Sequence, residues 1–380
     1  YKGTKTYFGC TNNPDYRKLL RDRVRDVMKG KPDGLHVDDH LGAAAAAWHH
    51  AGGMCDHCMA AFRTYLKTHA TPQQLQAAGV KDLKTFDYRN LVRKYATTRA
   101  QCRDWKTQQK IPLWSTFKQF HLHAAAENVR QLGELAEEVA GHPVTLSANA
   151  GLSHEPHRYV VKYLTHVICE VPQRASAGTA KPEDALTAYR LATEYGKPLA
   201  ATASGQDWAF AKANACDDLV RSWIALAYAH GQRFMVPHPR RQWCFTKQLG
   251  THWFEAPVEA FAPVYQFIKR NADGFDGLEA VEVKGLTPPA KTILTVRRNA
   301  KTGRTVVHVL NRDYDAGAKK MRTRKNVVIR IPVSPGEKTP ERVKLLAYDA
   351  EPQDVPVTLV RGAAQITLPS LHLWTIVVLK

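Results

Sequence analysis

Short apolar runs alternate with amphipathic segments over most of the first 235 residues. After Asn13-Pro14, apolar residues recur every three or four positions, which predicts a helix that ends near Gly30. The run GLHVDD at 34–39 predicts a strand that ends in two carboxylates, and helical spacing returns over 114–139. Between these segments, a run of five alanines and a CDHC motif are predicted to lie in a long loop.

Beyond the long helix, predicted strands and predicted helices alternate. The strands cover 143–151, 165–173, 197–205 and 233–240, and polar residues follow each of them. This alternation is typical of a parallel sheet with helices as connections. Together with 34–39, the pattern predicts a (β/α)8 TIM-type barrel whose first two or three units are missing from this sequence. An open doubly wound sheet is the structural alternative.

The pattern changes near the Gly-Leu-Thr-Pro-Pro segment at 285–289. Seven short strands of alternating polarity, separated by turn residues, follow it to the end of the sequence. They predict a small antiparallel β-sandwich. We therefore expect two domains, a barrel over 1–284 and a β-sandwich over 290–380, with the chemistry in the first.

The chain is strongly basic, with 54 Lys and Arg against 35 Asp and Glu, a formal net charge of +19. Such a charge favours anionic partners, although much of it lies on predicted helix faces mixed with acids. No nucleic-acid-binding motif is present, and no stretch approaches the ~20 apolar residues of a membrane span. The sequence therefore predicts neither a nucleic-acid partner nor a membrane span; a secreted or periplasmic location is preferred.

Three segments together resemble the middle of family 42 glycoside hydrolases, the bacterial β-galactosidase-like barrels: YFGCTNNPDYRKLL, GLHVDDHLG and CDHCMAAFRTYL. That family has a Cys before a Pro-Tyr-Arg helix, a fourth strand ending Asp-Asn-Glu-Tyr-Gly, and a Cys-rich loop before a Phe-Arg-x-Leu helix. The resemblance spans Tyr7 to Arg240. It implies that 34–39 is the fourth barrel strand, that the activity is glycoside hydrolysis, and that a homo-oligomer can form.

The sequence departs from this family at both expected catalytic positions. Asp38 and Asp39 match the family's Asp and Asn, and His40 stands where its acid/base Glu belongs. The family's nucleophile Glu follows the seventh strand, and 199–208 contains no Glu. The resemblance therefore implies either a relocated catalytic pair or a barrel without hydrolase activity.

A relocated pair needs two carboxyl groups, roughly 5 Å apart for retention or roughly 6.5–9.5 Å apart for inversion. Asp38 and Asp39 cannot form it together, because successive side chains of a strand point to opposite faces. We assign Asp39 as nucleophile or base and Asp38 as the second choice. Glu170 is the candidate partner, since its neighbours Cys169 and Val171 are apolar and would favour the protonated form that a general acid needs.

Other polar and aromatic residues near strand ends suit a carbohydrate cleft, where rings stack on sugars and polar groups bind hydroxyls. Ordinary packing is an equally open interpretation for each of them alone. The predicted substrate-binding residues are His40, Asn149, Gln206, Trp208, His238 and Arg240.

The Cys-x-x-Cys at Cys55 and Cys58 has a spacing common in metal sites. The family often holds a structural zinc with four cysteines; Cys10, Cys55 and Cys58 match three of them, and Gly53 stands at the fourth. His49, His50 or His57 could supply the missing ligand. A Cys55–Cys58 disulfide and free thiols are the alternatives, and no cofactor is expected for catalysis.

The first functional interpretation is thus a glycoside hydrolase that cleaves a poly- or oligosaccharide, which could be anionic, with Asp39 and Glu170 as carboxylates. The second is a non-catalytic carbohydrate-binding barrel, which fits the missing glutamates. The third is a metal-dependent hydrolase or deacetylase, because the His36-x-Asp-Asp-His40 segment is dense in potential ligands.

Overall fold

The computed structural model describes residues 9–235, 258–333 and 339–379, and these form two compact units that divide between Val167 and Ile168. The first unit is largely helical. Its elements are α1 (Pro14–Met28), β1 (Gly34–Val37), α2 (Ala43–His50), α3 (Asp56–His69), α4 (Pro72–Ala77), α5 (Tyr88–Tyr95), α6 (Arg99–Arg103), α7 (Trp105–Lys110), α8 (Trp114–Ala140), β2 (Thr145–Ala148) and α9 (Glu155–Val161).

Local sequence explains where the main helices of this unit begin and end. The Asn13 side chain accepts hydrogen bonds from the backbone N–H groups of Asp15 and Tyr16, and Pro14 occupies the first turn of α1. Helix α8 ends at Gly141, whose φ of 72° suits glycine. Both predicted helices are confirmed. The prediction of a loop at the alanine run was wrong, because α2 covers it, in keeping with the high helix propensity of alanine.

An aromatic cluster holds α3, α5 and α8 together. The rings of Phe62, Tyr88 and Phe117 lie with their centroids 5.0–5.1 Å apart, and all three side chains are almost completely buried. Edge-to-face and tilted contacts at this distance add to the free energy gained by burying the rings. Strands β1 and β2 pair in parallel, with Leu35 opposite Leu146, so that both strands end on the same side.

The second unit begins with three short strands and their connections. These elements are β3 (Val167–Val171), a 3-10 turn (Ala175–Ala177), α10 (Glu183–Glu194), β4 (Leu199–Ala203), α11 (Gly205–Asn214), α12 (Asp217–Ala229), β5 (Arg233–Phe234) and α13 (Val258–Arg270). The strands form a sheet in the order β3-β4-β5, and β4 and β5 run parallel.

The predicted alternation of strands and helices is thus present, in a two-stranded sheet and a three-stranded sheet. Within 9–235 and the later described ranges, these five strands do not form a closed eight-stranded barrel. A (β/α)8 barrel therefore stays a prediction, as does the domain boundary near residue 285. No helix in the described part is long and apolar enough to cross a bilayer.

The rest of the second unit is dominated by an antiparallel sheet of eight strands in the order β11-β14-β13-β12-β15-β8-β7-β6. All seven predicted strands are present, and β6 adds an edge. The strands are β6 (Glu279–Val281), β7 (Thr292–Arg298), β8 (Thr305–Asn311), β9 (Tyr314–Asp315), β10 (Lys320–Met321), β11 (Arg324–Pro332), β12 (Arg342–Ala347), β13 (Gln353–Val360), β14 (Ala363–Leu371) and β15 (Trp374–Val378), of which β9 and β10 form a separate hairpin.

The predicted β-sandwich takes the form of a single row of strands that curls on itself, in which β13 pairs first with β12 and then with β14. Val296 near one edge and Ile329 at the other belong to a single core with Ile366 and Val377. Residues at opposite edges can share a core only if the sheet curls round it. Alternate residues of β14, such as Ile366 and Thr367, are buried and exposed in turn, as expected for a sheet with one buried face.

Replacement of Ile366 by Ala is expected to lower the free energy of unfolding by about 2–5 kcal/mol, because it leaves a cavity in this core. The matched control is Thr367→Ala, next along the same strand but exposed, which should change it by no more than about 0.5 kcal/mol. Denaturant titration measures both. Equal effects of the two variants would contradict the assignment of the inner face.

Candidate active site

A cleft of about 770 Å³ lies beyond the carboxyl ends of β3 and β4 in the second unit. This volume falls within the roughly 300–1,000 Å³ of typical ligand sites. The residues with polar or aromatic side chains that line it include two predicted site residues, Glu170 and Gln206. The others are Arg174, Ser176, Ser204, Asp207 and Phe210.

The carboxylate of Asp207 joins the two loops that form the cleft. It accepts hydrogen bonds from the backbone N–H of Gln173 and of Ala175, both at 2.8 Å, and from the Ser204 hydroxyl at 2.6 Å. Ser204 is also the N-cap of α11. Asp207 is only 6% exposed, and its acceptors are engaged by three donors. It therefore positions the loops, and it is poorly placed to act on a substrate itself.

Sequence reasoning missed Asp207, although a signal was present. Ser204-Gly-Gln-Asp207 overlaps the end of the strand predicted at 197–205 and has the spacing of a helix cap, in which the first and fourth residues bond to each other. Helix α11 was not predicted either, so the cap had no helix to indicate it. The prediction assigned Ser204 to the end of a strand, and so it missed the cap that Ser204 forms with Asp207.

Arg174 lies on the rim of the cleft in a left-handed conformation, with φ at 56°. Its Nε donates to Asp184 at 2.7 Å, and 60% of the arginine side chain is exposed. A non-glycine residue with positive φ costs free energy that the surrounding hydrogen bonds must offset. The nearby Asp207 brace supplies such bonds through the N–H groups on either side of Arg174.

Glu170 is the penultimate residue of β3, and its exposed side chain lines the cleft. The expectation that its apolar neighbours enclose it was wrong, because Cys169 and Val171 point to the opposite, buried face of the strand. Trp208, which was predicted to bind substrate, is buried. It is 5% exposed, its Nε1 donates to Thr202 Oγ1 at 3.0 Å, and it does not line the cleft. Its ring packs against Trp223 and Phe234 instead.

In the first unit, the parallel pairing of β1 and β2 brings together two predicted site residues. Asn149 Nδ2 donates to Asp38 Oδ1 at 3.2 Å. Asp38 and Asp39 are both exposed, and Asp39 has a φ of 31°, outside the ordinary strand and helix regions. The amide of Asn149 therefore positions Asp38, while Asp39 lies at a sharp turn that follows the strand.

His40 is buried, in contrast to the prediction that it binds substrate. It is 4% exposed, and its ring packs edge-on against His157 at a centroid distance of 5.0 Å. Burial, reinforced by His157, lowers the pKa of His40 to about 3, against the opposing effect of Asp38. Burial likewise lowers the pKa of His157 to about 4. The turn at Asp39 directs His40 inward, so the ring is neutral and internal.

Three cysteines come together as predicted. The Sγ atoms of Cys10, Cys55 and Cys58 are each 3.4 Å from the other two. A disulfide, with sulfurs about 2.05 Å apart, is therefore not formed between any pair. The Cys58 thiol, followed by the backbone N–H of Asn12, the Cys55 thiol and the backbone N–H of Asn13, lowers the pKa of Cys10 to about 5 against the effect of burial.

These three residues are also the one cluster of at least three potential metal-ligand side chains within the described ranges. The set His36, His40, Asp38 and Asp39 is not such a cluster there, so the metal-dependent interpretation has no ligand set in that part of the chain. His36 instead hydrogen-bonds Ser147 at 2.9 Å. His238 and Arg240 lie outside the described residues.

Comparisons with known proteins connect the chain to polysaccharide-cleaving enzymes. It is 20% identical over 298 residues to an alpha-agarase of Alteromonas agarilytica and 22% identical over 304 residues to an alpha-agarase of Thalassotalea agarivorans. The matches cover 73% and 75% of this chain but 20% of each relative, so the chain spans about a fifth of their length. No family model matches. The sequence similarity is to glycoside hydrolases, and it does not single out family 42.

Two solved structures show a weaker likeness. A Paenibacillus sp. cycloisomaltooligosaccharide glucanotransferase has a TM-score of 0.33 at 18% identity, over 42% of this chain and 26% of that one. The catalytic domain of GH30 xylanase C from Talaromyces cellulolyticus has a TM-score of 0.28 at 13% identity, over 68% of each chain. At these TM-scores neither structure contributes to the functional argument.

Replacement of Asp207 by Asn is expected to lower the free energy of unfolding by about 1–3 kcal/mol, because one buried backbone N–H loses its acceptor. Asp184→Asn, which removes a partly exposed ion pair with Arg174, is the control and should cost less than about 1 kcal/mol. Denaturant titration compares the two. An Asp207→Asn cost no larger than the control would argue against the brace.

Acidification should destabilise the first unit between about pH 6.5 and pH 4. The folded pKa values of His40 and His157 lie below the ordinary value of about 6.5, so the unfolded chain binds more protons in this range. Their contribution to stability is complete above about pH 6.5 and is lost as the pH falls.

Measurement of unfolding free energy against pH should show a slope reduced by up to about one proton in His40→Gln. His142→Gln, at an exposed position, should leave the slope unchanged. If His40→Gln had the wild-type slope, the imidazole would not be buried and neutral.

Proposed function

We propose that this chain belongs to the catalytic part of a glycoside hydrolase that cleaves a polysaccharide, with agar as the first candidate substrate. The observation that carries this proposal is the similarity to two alpha-agarases over about three quarters of the chain. These matches are too long to reflect one shared motif. Because the chain spans only a fifth of each relative, its substrate and activity are proposed here from similarity and local geometry together.

The cleft in the second unit supports this proposal chemically. Glu170 offers a carboxyl group, Gln206 and Ser176 offer hydrogen bonds to hydroxyls, and Phe210 offers an apolar face for a sugar ring. Arg174 on the rim could meet a sulfate or carboxylate substituent, and the net charge of +19 favours an anionic polymer.

We propose Asp39 and Glu170 as the catalytic carboxylates. The proposal for each residue is argued from its position within its own unit. Both side chains are exposed at the carboxyl ends of their strands, which is where parallel α/β enzymes place catalytic groups. Asp39 adds an unusual backbone conformation, and such conformations are frequent at functional sites. Asp38, bonded to Asn149, is the better candidate for a positioning role.

A barrel of the family 42 type is the architecture that we propose for the complete catalytic part. The order of the cysteine, Asp-Asp and Phe-Arg segments supports a distant relation. The absence of both expected glutamates supports instead the second candidate, a barrel that binds polysaccharide without cleaving it. Assembly into a homo-oligomer stays a prediction.

Release of reducing ends from agar and from neutral, sulfated and carboxylated polysaccharides tests the proposal. Asp39→Asn and Glu170→Gln should each lower the rate by about 10²–10⁴-fold if their carboxyl groups act in the reaction. Asp33→Asn, on the amino side of β1, and Glu279→Gln, on the edge strand β6, are the controls, and thermal melts verify folding.

The outcomes separate the two functions. Activity that survives in a folded variant removes that residue from the chemistry. Binding of a polysaccharide by wild type without any product would favour the non-catalytic barrel, and neither binding nor cleavage on any polymer would refute both.

We further propose that Cys10, Cys55 and Cys58 hold a structural zinc ion. The sulfur separations of 3.4 Å are close to the about 3.8 Å that a tetrahedral ion with ~2.3 Å zinc–sulfur bonds requires. Zinc would link the segment before α1 to the first turn of α3.

A further inference from the structure

The three cysteines are held by two segments that favour thiolates. Cys55 is the N-cap of α3 and Cys58 lies in its first turn, where the helix dipole and unpaired N–H groups stabilise negative charge. Asn12, in the segment that carries Cys10, donates from Nδ2 to the Cys58 sulfur at 3.5 Å. Cys58 is buried, whereas Cys55 is exposed, so the cluster is open to solvent on one side.

A structural zinc site normally has four protein ligands, and here the expected fourth position is blocked. Gly53 stands where the resemblance places a cysteine, but its φ of 77° is unfavourable for any other residue. A Cβ atom at Gly53 would lie 2.6 Å from His121 Nε2. The local backbone and the buried ring of His121 therefore exclude a cysteine at this position without rearrangement.

His121 does not replace the missing ligand. Its Nε2 is 2.9 Å from the Gly53 carbonyl oxygen, and a carbonyl can only accept, so Nε2 carries the proton. Nε2 therefore has no lone pair for a metal; the ring's lone pair is on Nδ1, and His121 does not belong to the three-cysteine cluster. His121 thus fills the space beside Gly53 but does not provide the fourth metal ligand.

The histidines expected to complete the set are engaged elsewhere or lie apart. His50 Nδ1 accepts from Arg103 at 2.7 Å, and His49 stacks on His154 at a centroid distance of 5.6 Å. Neither of these, nor His57, joins the three-cysteine cluster. Within the described ranges, no histidine, cysteine or carboxylate provides a fourth ligand atom near the three sulfurs.

We propose that Cys10, Cys55 and Cys58 form a three-thiolate metal site whose fourth position is taken by an exchangeable ligand from solution. This inference rests on the proposed metal binding and goes beyond its structural role, because sites with an open position bind small ligands while closed sites do not. Water would occupy the position at rest, and a neutral nitrogen donor such as imidazole would displace it.

Cobalt(II) substitution of the purified chain provides the test. One equivalent should bind and give thiolate-to-cobalt charge-transfer and ligand-field absorption. Imidazole should then shift the ligand-field bands saturably, with one imidazole per cobalt. A closed four-ligand site would show the absorption without the shift, which would overturn the inference and leave metal binding intact. Failure to bind cobalt or zinc would overturn both.

Variants identify the ligands. Cys10→Ser, Cys55→Ser and Cys58→Ser should each weaken metal binding by more than the roughly 10–100-fold that is typical when a residue that only orients a ligand is changed. Cys102→Ser, a part-buried free thiol of the same unit outside the cluster, is the matched control and should bind like wild type. Circular dichroism of the metal-free variants verifies folding.

Cys244 lies outside the described residues and is the remaining thiol to test as a fourth ligand. In Cys244→Ser, the absorption and its imidazole shift should match wild type. If instead wild type shows no shift and Cys244→Ser gains one, Cys244 closes the site and the proposal is wrong.

Discussion

The cleft in the second unit depends on the hydrogen bonds that the Asp207 carboxylate accepts. The loops that follow the strands expose backbone N–H groups, and these groups need acceptors. One carboxylate satisfies two N–H groups after β3 and the hydroxyl that caps the helix after β4. The positions of Glu170, Arg174 and Gln206 follow from this junction, because each lies within a few residues of a bonded group. A catalytic carboxyl needs such fixed surroundings, since small displacements of reacting groups lower rates strongly.

In the first unit, neutral side chains contact the residues that follow β1. The amide of Asn149 donates a hydrogen bond to Asp38, and the buried ring of His40 packs against His157. The histidine that aligns with the acid/base Glu of family 42 enzymes is thus part of the core, and burial lowers its pKa to about 3.

The cysteine cluster brings three sulfur atoms together without a fourth ligand atom from the described residues. Two helix-terminal segments hold three sulfurs at metal-compatible distances, and the left-handed Gly53 beside His121 removes the position for a fourth. A metal ion could link these two segments through the three sulfur atoms without a fourth protein ligand. An ion held by three thiolates would still join the start of α1 to α3, while one coordination position stays accessible.

The sequence by itself determined the long helices, the order of short strands, the seven strands of the C-terminal sheet and the three metal-type cysteines, because periodicity, caps and Cys spacing are local signals. Tertiary structure alone decided the rest. Glu170 became exposed and Trp208 buried because strand and helix faces are set by what packs against them, and the C-terminal strands joined one curled sheet because pairing order is not encoded in any single strand. His40 packs against His157, and Asp207 bonds to the loop after β3, through contacts between segments distant in sequence. Local patterns record the turn at Asp39 and the Ser204–Asp207 cap but not these contacts.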